Sequence, residues 1–335
     1  MNDSRGTSLT NIWYRDHYAA HCLAPLEWGF RTLVDVRRRA YRNGMLAVKK
    51  LPVPVIVVGN ISVGGTGKTP LIIALARFLQ RNGYRPGIVS RGYRGRIGKQ
   101  PVKVQLCDSP ALVGDEALLL AKHGDCPVAV CTKRYDAGRL LVEQENCDVI
   151  LSDDGLQHYK LARDIEIAVV DGERRYGNGR CLPAGPLREP VDRLNEVDFI
   201  VVNGEPCASG QYSMQLSGDL AINLATGAAK PLAHFVGSES HAVAGIGNPK
   251  RFFKMLADAG LTCRNHEFPD HHPYRAGDLD FDDKPVLMTE KDAVKCFGFA
   301  RENYWYVPVS AQLDPALTER LLTLLREKND GYKTA

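Results

Sequence analysis

The 335-residue sequence has no run of eighteen or more apolar residues, so it offers no helix able to span a bilayer. It has no C-x-x-C pair among its nine cysteines, at positions 22, 107, 126, 131, 147, 181, 207, 263 and 296. That spacing argues against thiol metal sites and dithiol redox motifs, and the odd count in a long chain is expected to mean reduced thiols in the cytosol. The N-terminal stretch lacks the short apolar core and small-residue cleavage site of a secretory signal. Repeats at solenoid periods and low-complexity tracts are also missing. Charge of one sign is scarce: the formal net charge is +4, and residues 1–50 hold nine Lys/Arg against four acids. The remainder is almost neutral, so no nucleic-acid-binding surface is expected over the whole chain.

What is present reads as α/β. Val53–Val58, Ile88–Ser90, Pro127–Cys131, Val149–Ser152, Ile167–Val170 and Phe199–Val202 are short apolar runs separated by helical patterns. That alternation predicts a parallel sheet covered on both faces. Around Ser217-Gly218-Asp219 two alternating segments predict a β-hairpin, taken as a linker to a second, smaller α/β unit. The expected division is an N-terminal helical region over 1–45, a nucleotide-binding domain over 46–210, the hairpin linker over 211–233 and a C-terminal domain over 234–335. Near the start, Pro25 suits a helix's first turn. Leu23, Leu26, Phe30, Leu33 and Val34 then form an apolar stripe before Arg37, Arg38, Arg39 and Arg42. This pattern suits a helix lying on an anionic membrane surface, and equally a helix packed on its own domain with a solvated basic end.

The sharpest chemistry lies in Ser62-Val63-Gly64-Gly65-Thr66-Gly67-Lys68-Thr69. It follows a β-branched strand and opens a helical pattern, as a P-loop does. Ser62 departs from the first glycine of the strict motif, and Gly64 and Gly65 supply the backbone freedom. Successive backbone N–H groups and a helix N-terminus would meet the phosphates of ATP. Lys68 would neutralise β/γ oxygens and the Thr69 hydroxyl would hold Mg²⁺. Downstream, Asp148 to Gly155 runs from apolar residues into Asp153-Asp154, an acidic pair suited to Mg²⁺.

Seven fragments then occur in order: Val57 to Pro70, Ser90-Arg-Gly-Tyr93, Gly114-Asp-Glu116, Asp153 to His158, Gly185 to Glu189, Phe268-Pro-Asp-His-His272 and Thr289 to Lys295. Together they resemble the tetraacyldisaccharide 4'-kinase (lipid A 4'-kinase) family of Gram-negative bacteria, from about residue 12 to 325. The resemblance implies a P-loop kinase that moves the γ-phosphate of ATP to the 4'-hydroxyl of a tetraacyldisaccharide 1-phosphate, giving lipid IVA. It also implies a peripheral enzyme on the cytoplasmic face of the inner membrane, docked through the basic N-terminal helix and expected to be a monomer. By resemblance Asp115 is the base and His271 its partner, with His272 in reserve; by pattern alone Asp115 could simply cap a helix. Asp153, Asp154 and Glu189 are assigned to the metal shell with Thr69. Arg91, Tyr93, Gln157, His158 and Arg188 are expected near substrate or phosphate. Thr289–Lys295 is read as a structural or hinge feature. Closure of the cleft on ATP, with 211–224 as hinge, follows from placing His271 and Asp115 in different domains. Two rival readings are a P-loop kinase or ligase acting on a soluble metabolite, and a nucleotide-switch assembly factor.

Overall fold

A computed structural model describes residues 9–14, 18–93, 95–98 and 100–333. The strands are β1 Val55–Gly59, β2 Pro86–Ser90, β3 Val102–Lys103, β4 Val128–Val130, β5 Val149–Asp153, β6 Ile165–Asp171, β7 Phe199–Asn203, β8 Gln211–Ser217, β9 Leu220–Asn223, β10 Ala229–Pro231, β11 Glu239–Ala244, β12 Thr262–Glu267, β13 Val286–Thr289, β14 Tyr304–Val307 and β15 Ser310–Leu313. The helices are α1 Leu9–Tyr14, α2 Ala19–Cys22, α3 Ala24–Arg42, α4 Lys68–Arg81, α5 Pro110–Val113, α6 Asp115–His123, α7 Arg134–Glu145, α8 Pro249–Asp258, α9 Glu290–Ala293 and α10 Pro315–Lys333.

The larger sheet has the order β15-β8-β7-β6-β1-β5-β2-β4-β3, parallel except for its two edge strands β15 and β3. β1 is buried along its whole length because both faces are covered, which explains its unbroken apolar run. Ile56 and Val58 face one core with Leu71, Leu75 and Leu79 of α4, while Val55 and Val57 face the other with Ala137 and Leu141 of α7. The C-terminal ends of these strands converge on one rim, where open α/β sheets bind ligands.

The smaller sheet runs β10-β9-β14-β13-β11-β12, its core built on Val243, Leu256, Leu287, Met288 and Tyr304. The two-unit α/β reading holds, with two corrections to the connection. The expected hairpin does not form: β8 pairs with β7 and β15 in the large sheet, and β9 pairs with β10 and β14 in the small one. Gly218 marks the crossing between sheets instead of a turn, and a Cβ there would meet the Pro308 carbonyl oxygen at 2.9 Å. The chain therefore crosses twice, at 217–220 and again at 307–310. The second correction follows: 234–335 is not one domain, because β15 and α10 return to the large unit. Leu317, Leu321 and Leu325 of α10 lie at helical spacing and are fully buried in its core.

α3 starts with Pro25 in its first turn, as expected. Glu27 holds it to the large unit through Arg180 (3.1 Å) and the Cys181 amide (2.9 Å). The predicted stripe is split by this packing. Phe30 and Val34 are half-buried, whereas Leu26, Trp28, Leu33 and Val36 are exposed, Trp28 to 74%. No helix among the described residues is long and apolar enough to cross a membrane.

Candidate active site

Gly67 takes a left-handed conformation (φ 98°) at the cap of α4, which places Lys68 and Thr69 in the helix's first turn. A Cβ on Gly67 would sit 2.5 Å from the Asn203 amide nitrogen, so glycine is also required for space. Asn203 donates to the Thr66 carbonyl at 3.1 Å and fixes the loop from the end of β7. Val63 to Thr69 line a cleft of about 970 Å³ between the two units. Ser62 is buried beneath it, bridged to Leu187.

The acidic pair closes β5. Arg134, buried at the start of α7, donates to the carbonyls of Asp153 (2.8 Å) and Asp154 (2.9 Å) and so holds the turn. Asp154 sits at φ 46°, a conformation aspartate tolerates better than most residues. Its carboxylate pairs with Lys68 (3.3 Å) and Arg188 (3.0 Å). Burial alone would raise its pKa, but these two cations outweigh burial and hold it far below the usual carboxylate range. Asp153 behaves oppositely: full burial, then the charges of Glu116 and Asp154, push it up. Its Oδ2 accepts from Ser90 Oγ at 3.0 Å, and its Oδ1 has no hydrogen-bond partner. An orphaned carboxylate oxygen near Lys68 fits a hard cation. No cluster of three or more His, Cys, Asp or Glu side chains able to hold a metal exists among the described residues.

Asp115 opens α6 and His271 reaches it from the loop after β12. His271 Nδ1 lies 2.9 Å from Asp115 Oδ2, while His272 turns to Asp278 at 3.1 Å. The structure thus pairs His271, the first choice, with Asp115. His271 is itself left-handed (φ 60°), and its amide donates to the Gly245 carbonyl. Burial would raise the Asp115 pKa, yet the His271 hydrogen bond and the charges of Lys291 and Lys295 lower it overall. His271 and Glu116 line the cleft, with Asp115 just behind them.

Arg91, Tyr93, Gln157, His158 and Arg188 all line the cleft. Glu189 does not: it is buried, with Tyr159 and the Gln157 amide (2.7 Å) on its carboxylate, so it anchors Gln157 instead of facing the metal side. Burial, and then the charges of Arg134, Arg163, Arg37 and Lys160, bring His158 down to about 3. A histidine with a depressed folded value takes up its proton on unfolding. Stability is therefore full above pH ~6.5 and declines as pH falls toward the folded value. In His158→Gln the loss of stability between pH 7.5 and pH 5 is expected to be smaller than in the parent chain, measured by urea unfolding at both pH values. An equal loss would refute this placement of His158.

Residues missed in the sequence join the units around the P-loop. Asp171 at the end of β6 pairs with Arg251 (2.6 Å) and accepts from Asn248 (3.1 Å). Arg174 donates to the Gly247 carbonyl, and a Cβ on Gly247 would meet the Gly65 nitrogen at 2.1 Å. Glu290 of α9 binds Lys122 (2.7 Å) and His123 (2.8 Å), and Lys291 binds Glu116 (2.9 Å). One signal was available: Asp171, Arg134 and Asn203 all lie at or just after the C-terminal ends of parallel strands. Glu290 and Lys291 carry the same mark, being the first two residues after parallel strand β13, but nothing local names their partners on α6.

Comparison with known proteins agrees with this geometry. The family model described as tetraacyldisaccharide-1-P 4'-kinase matches residues 19–326. The tetraacyldisaccharide 4'-kinase of Nitrosococcus oceani is 50% identical, with 95% of this chain and 94% of that one aligned. That of Stenotrophomonas maltophilia is 51% identical over 95% of this chain and 97% of its own. Among solved structures, the "apo" form of LpxK from Aquifex aeolicus in complex with ATP superposes with a TM-score of 0.76 at 31% identity, covering 92% of this chain and 99% of that one. A P-loop, an acidic strand end and an Asp–His pair thus share one cleft in a chain that matches these kinases over almost its full length, and the chain belongs to the tetraacyldisaccharide-1-P 4'-kinase family.

Proposed function

We propose that this cleft holds ATP by its phosphates on residues 63–69 and presents the 4'-hydroxyl of a tetraacyldisaccharide 1-phosphate to the γ-phosphorus, with Asp115 as general base. The chain is an ATP-dependent kinase of lipid A biosynthesis. The observation that carries the assignment of roles is the Asp115–His271 pair, made by two different units beside the same cleft as Lys68. In the transfer, the sugar oxygen bonds to the γ-phosphorus and the bond to the β–γ bridging oxygen breaks. The hydroxyl proton passes to Asp115, whose lowered pKa keeps it ionised and ready to accept. Lys68 offsets charge on the phosphates and Asp154 orients Lys68. Asp153 and Thr69 are the residues that would hold Mg²⁺, and Glu189 serves indirectly by fixing Gln157. Mg²⁺, when bound, neutralises phosphate charge. Closure about the two chain crossings would keep water from the γ-phosphate.

The acceptor side points to a membrane surface. Arg37 of α3 lines the same cleft as the P-loop and donates to the Gln157 carbonyl at 3.4 Å. Exposed Leu26, Trp28, Leu33 and Val36 lie beside exposed Arg31, Arg37 and Arg39 on that helix. α3 therefore suits the cytoplasmic leaflet of the inner membrane, where its apolar residues enter and its arginines meet anionic headgroups. Incubation with γ-labelled ATP and a panel of acylated disaccharide phosphates tests the reaction; label on a soluble metabolite and on none of the lipids would refute it. For docking, Leu26→Asp with Leu33→Asp should weaken binding to anionic vesicles by about 10²-fold or more, since two exposed leucines lose their apolar burial. Flotation measures this, and unchanged binding would exclude α3 as the docking element.

A further inference from the structure

Lys291 was expected to belong to a structural or hinge segment, yet its ammonium lies among the reacting groups. Nζ is 2.9 Å from Glu116 Oε1, 3.3 Å from His271 Nε2 and 3.5 Å from Asp270 Oδ1. The frame that puts it there is rigid. Thr289 caps α9 by accepting from the Asp292 amide, and fully buried Asp292 accepts from Thr289 Oγ1 (2.6 Å) and the Gly245 amide (2.8 Å). The Gly245 carbonyl in turn takes the His271 amide. Lys291 and His271 are thus held to one another through Asp292 and Gly245.

The chemistry of the donor decides what this contact means. An ammonium has three N–H donors and no lone pair. Facing His271 Nε2, it can only donate, so a hydrogen bond at this contact requires Nε2 to be the unprotonated nitrogen; Asp270 Oδ1, the acceptor facing the same nitrogen, is farther off at 3.7 Å. The ring proton then sits on Nδ1, where it is donated to Asp115 Oδ2. A doubly protonated ring would set an N–H against an ammonium. Glu116, Asp270 and Asp115 keep Lys291 charged despite burial, which alone would favour loss of its proton.

We propose that Lys291 is a positioning residue for phosphoryl transfer: it fixes His271 as the neutral Nδ1–H tautomer, so that His271 donates to Asp115 and Asp115 remains the acceptor for the hydroxyl proton. The same ammonium also pairs with Glu116 of α6, so it ties the small unit to the large one beside the Asp115–His271 pair. This rests on the reading of Asp115 as base.

The test uses the full chain with ¹⁵N-labelled histidine, the His271 ring being assigned by its disappearance in His271→Gln. The parent protein is expected to show His271 with protonated Nδ1 and bare Nε2. A His271 ring protonated on Nε2 in the parent would overturn the proposal without any variant. In Lys291→Met the Nε2–H form or the imidazolium should appear, and kcat should fall by about 10- to 100-fold with KM for ATP little changed. Lys291→Arg, which also only donates, should restore the tautomer and much of kcat. An unchanged His271 spectrum in Lys291→Met, whatever the rate, would overturn the proposal and leave the role of Asp115 intact. Full activity in Asp115→Asn would instead sink the base assignment beneath it.

Discussion

Lys68→Ala is expected to lower the rate of phosphoryl transfer by about 10³-fold or more while the protein stays folded. Phosphoryl transfer leaves the protein little covalent work, so a lost charge on the phosphates appears almost fully in the rate. The fold should survive because Asp154 does not depend on Lys68 alone. Arg188 remains 3.0 Å from its carboxylate and Arg134 still grips its carbonyl at 2.9 Å. Asp154 would lose the strongest of its charge partners, so its titration should move upward. Single-turnover transfer from γ-labelled ATP measures the first effect and thermal unfolding the second. A variant that unfolds at the parent temperature and transfers within about tenfold of the parent rate would remove Lys68 from its role.

Much of this site was legible because its parts are local. A β-branched strand, a glycine-rich loop and a helix lie within residues 55–81, and Asp153-Asp154 end the strand next to β1. Asp115 and His271, 156 positions apart, were joined only through the family resemblance; spacing alone does not bring them together. The failures are of the opposite kind. Ser217-Gly218-Asp219 has the composition of a turn, and whether it reverses the chain or carries it to another sheet depends on partners near residues 199–203 and 310–313. α10 has an ordinary amphipathic stripe, which says that it is covered but not by which unit. Glu189 was assigned to the metal shell, since nothing in its neighbours marks Tyr159 and Gln157 as its partners. Lys291 was read as part of a structural or hinge segment, because a charged residue on a four-residue helix carries no periodic signal of its own. Interfaces between units are written in long-range contacts, and those were the part the sequence left unread.

Asp115→Asn should separate chemistry from binding most sharply. The amide keeps the size of the carboxylate, so α6 and the contact with His271 lose little shape. It cannot take a proton from a sugar hydroxyl, and kcat should fall by about 10²- to 10⁴-fold. ATP affinity should be nearly unchanged, because Asp115 lies behind Glu116 and His271 and its polar partners are the Glu116 amide, His271 and Lys295, not the P-loop stretch that grips phosphate. His271→Ala gives the complementary case: the carboxylate stays and the donor to it goes. The His271 hydrogen bond is the leading cause that lowers Asp115 against the opposing effect of burial, with Lys291 and Lys295 adding to it. Without it the titration of Asp115 should rise, so the acid limb of kcat should shift to higher pH in His271→Ala and be absent from the residual rate of Asp115→Asn. Single-turnover profiles across the acid range read both. If the acid limb stays in place when His271 is replaced, the imidazole does not govern the basicity of Asp115, and the pair is joined in space without being joined in function.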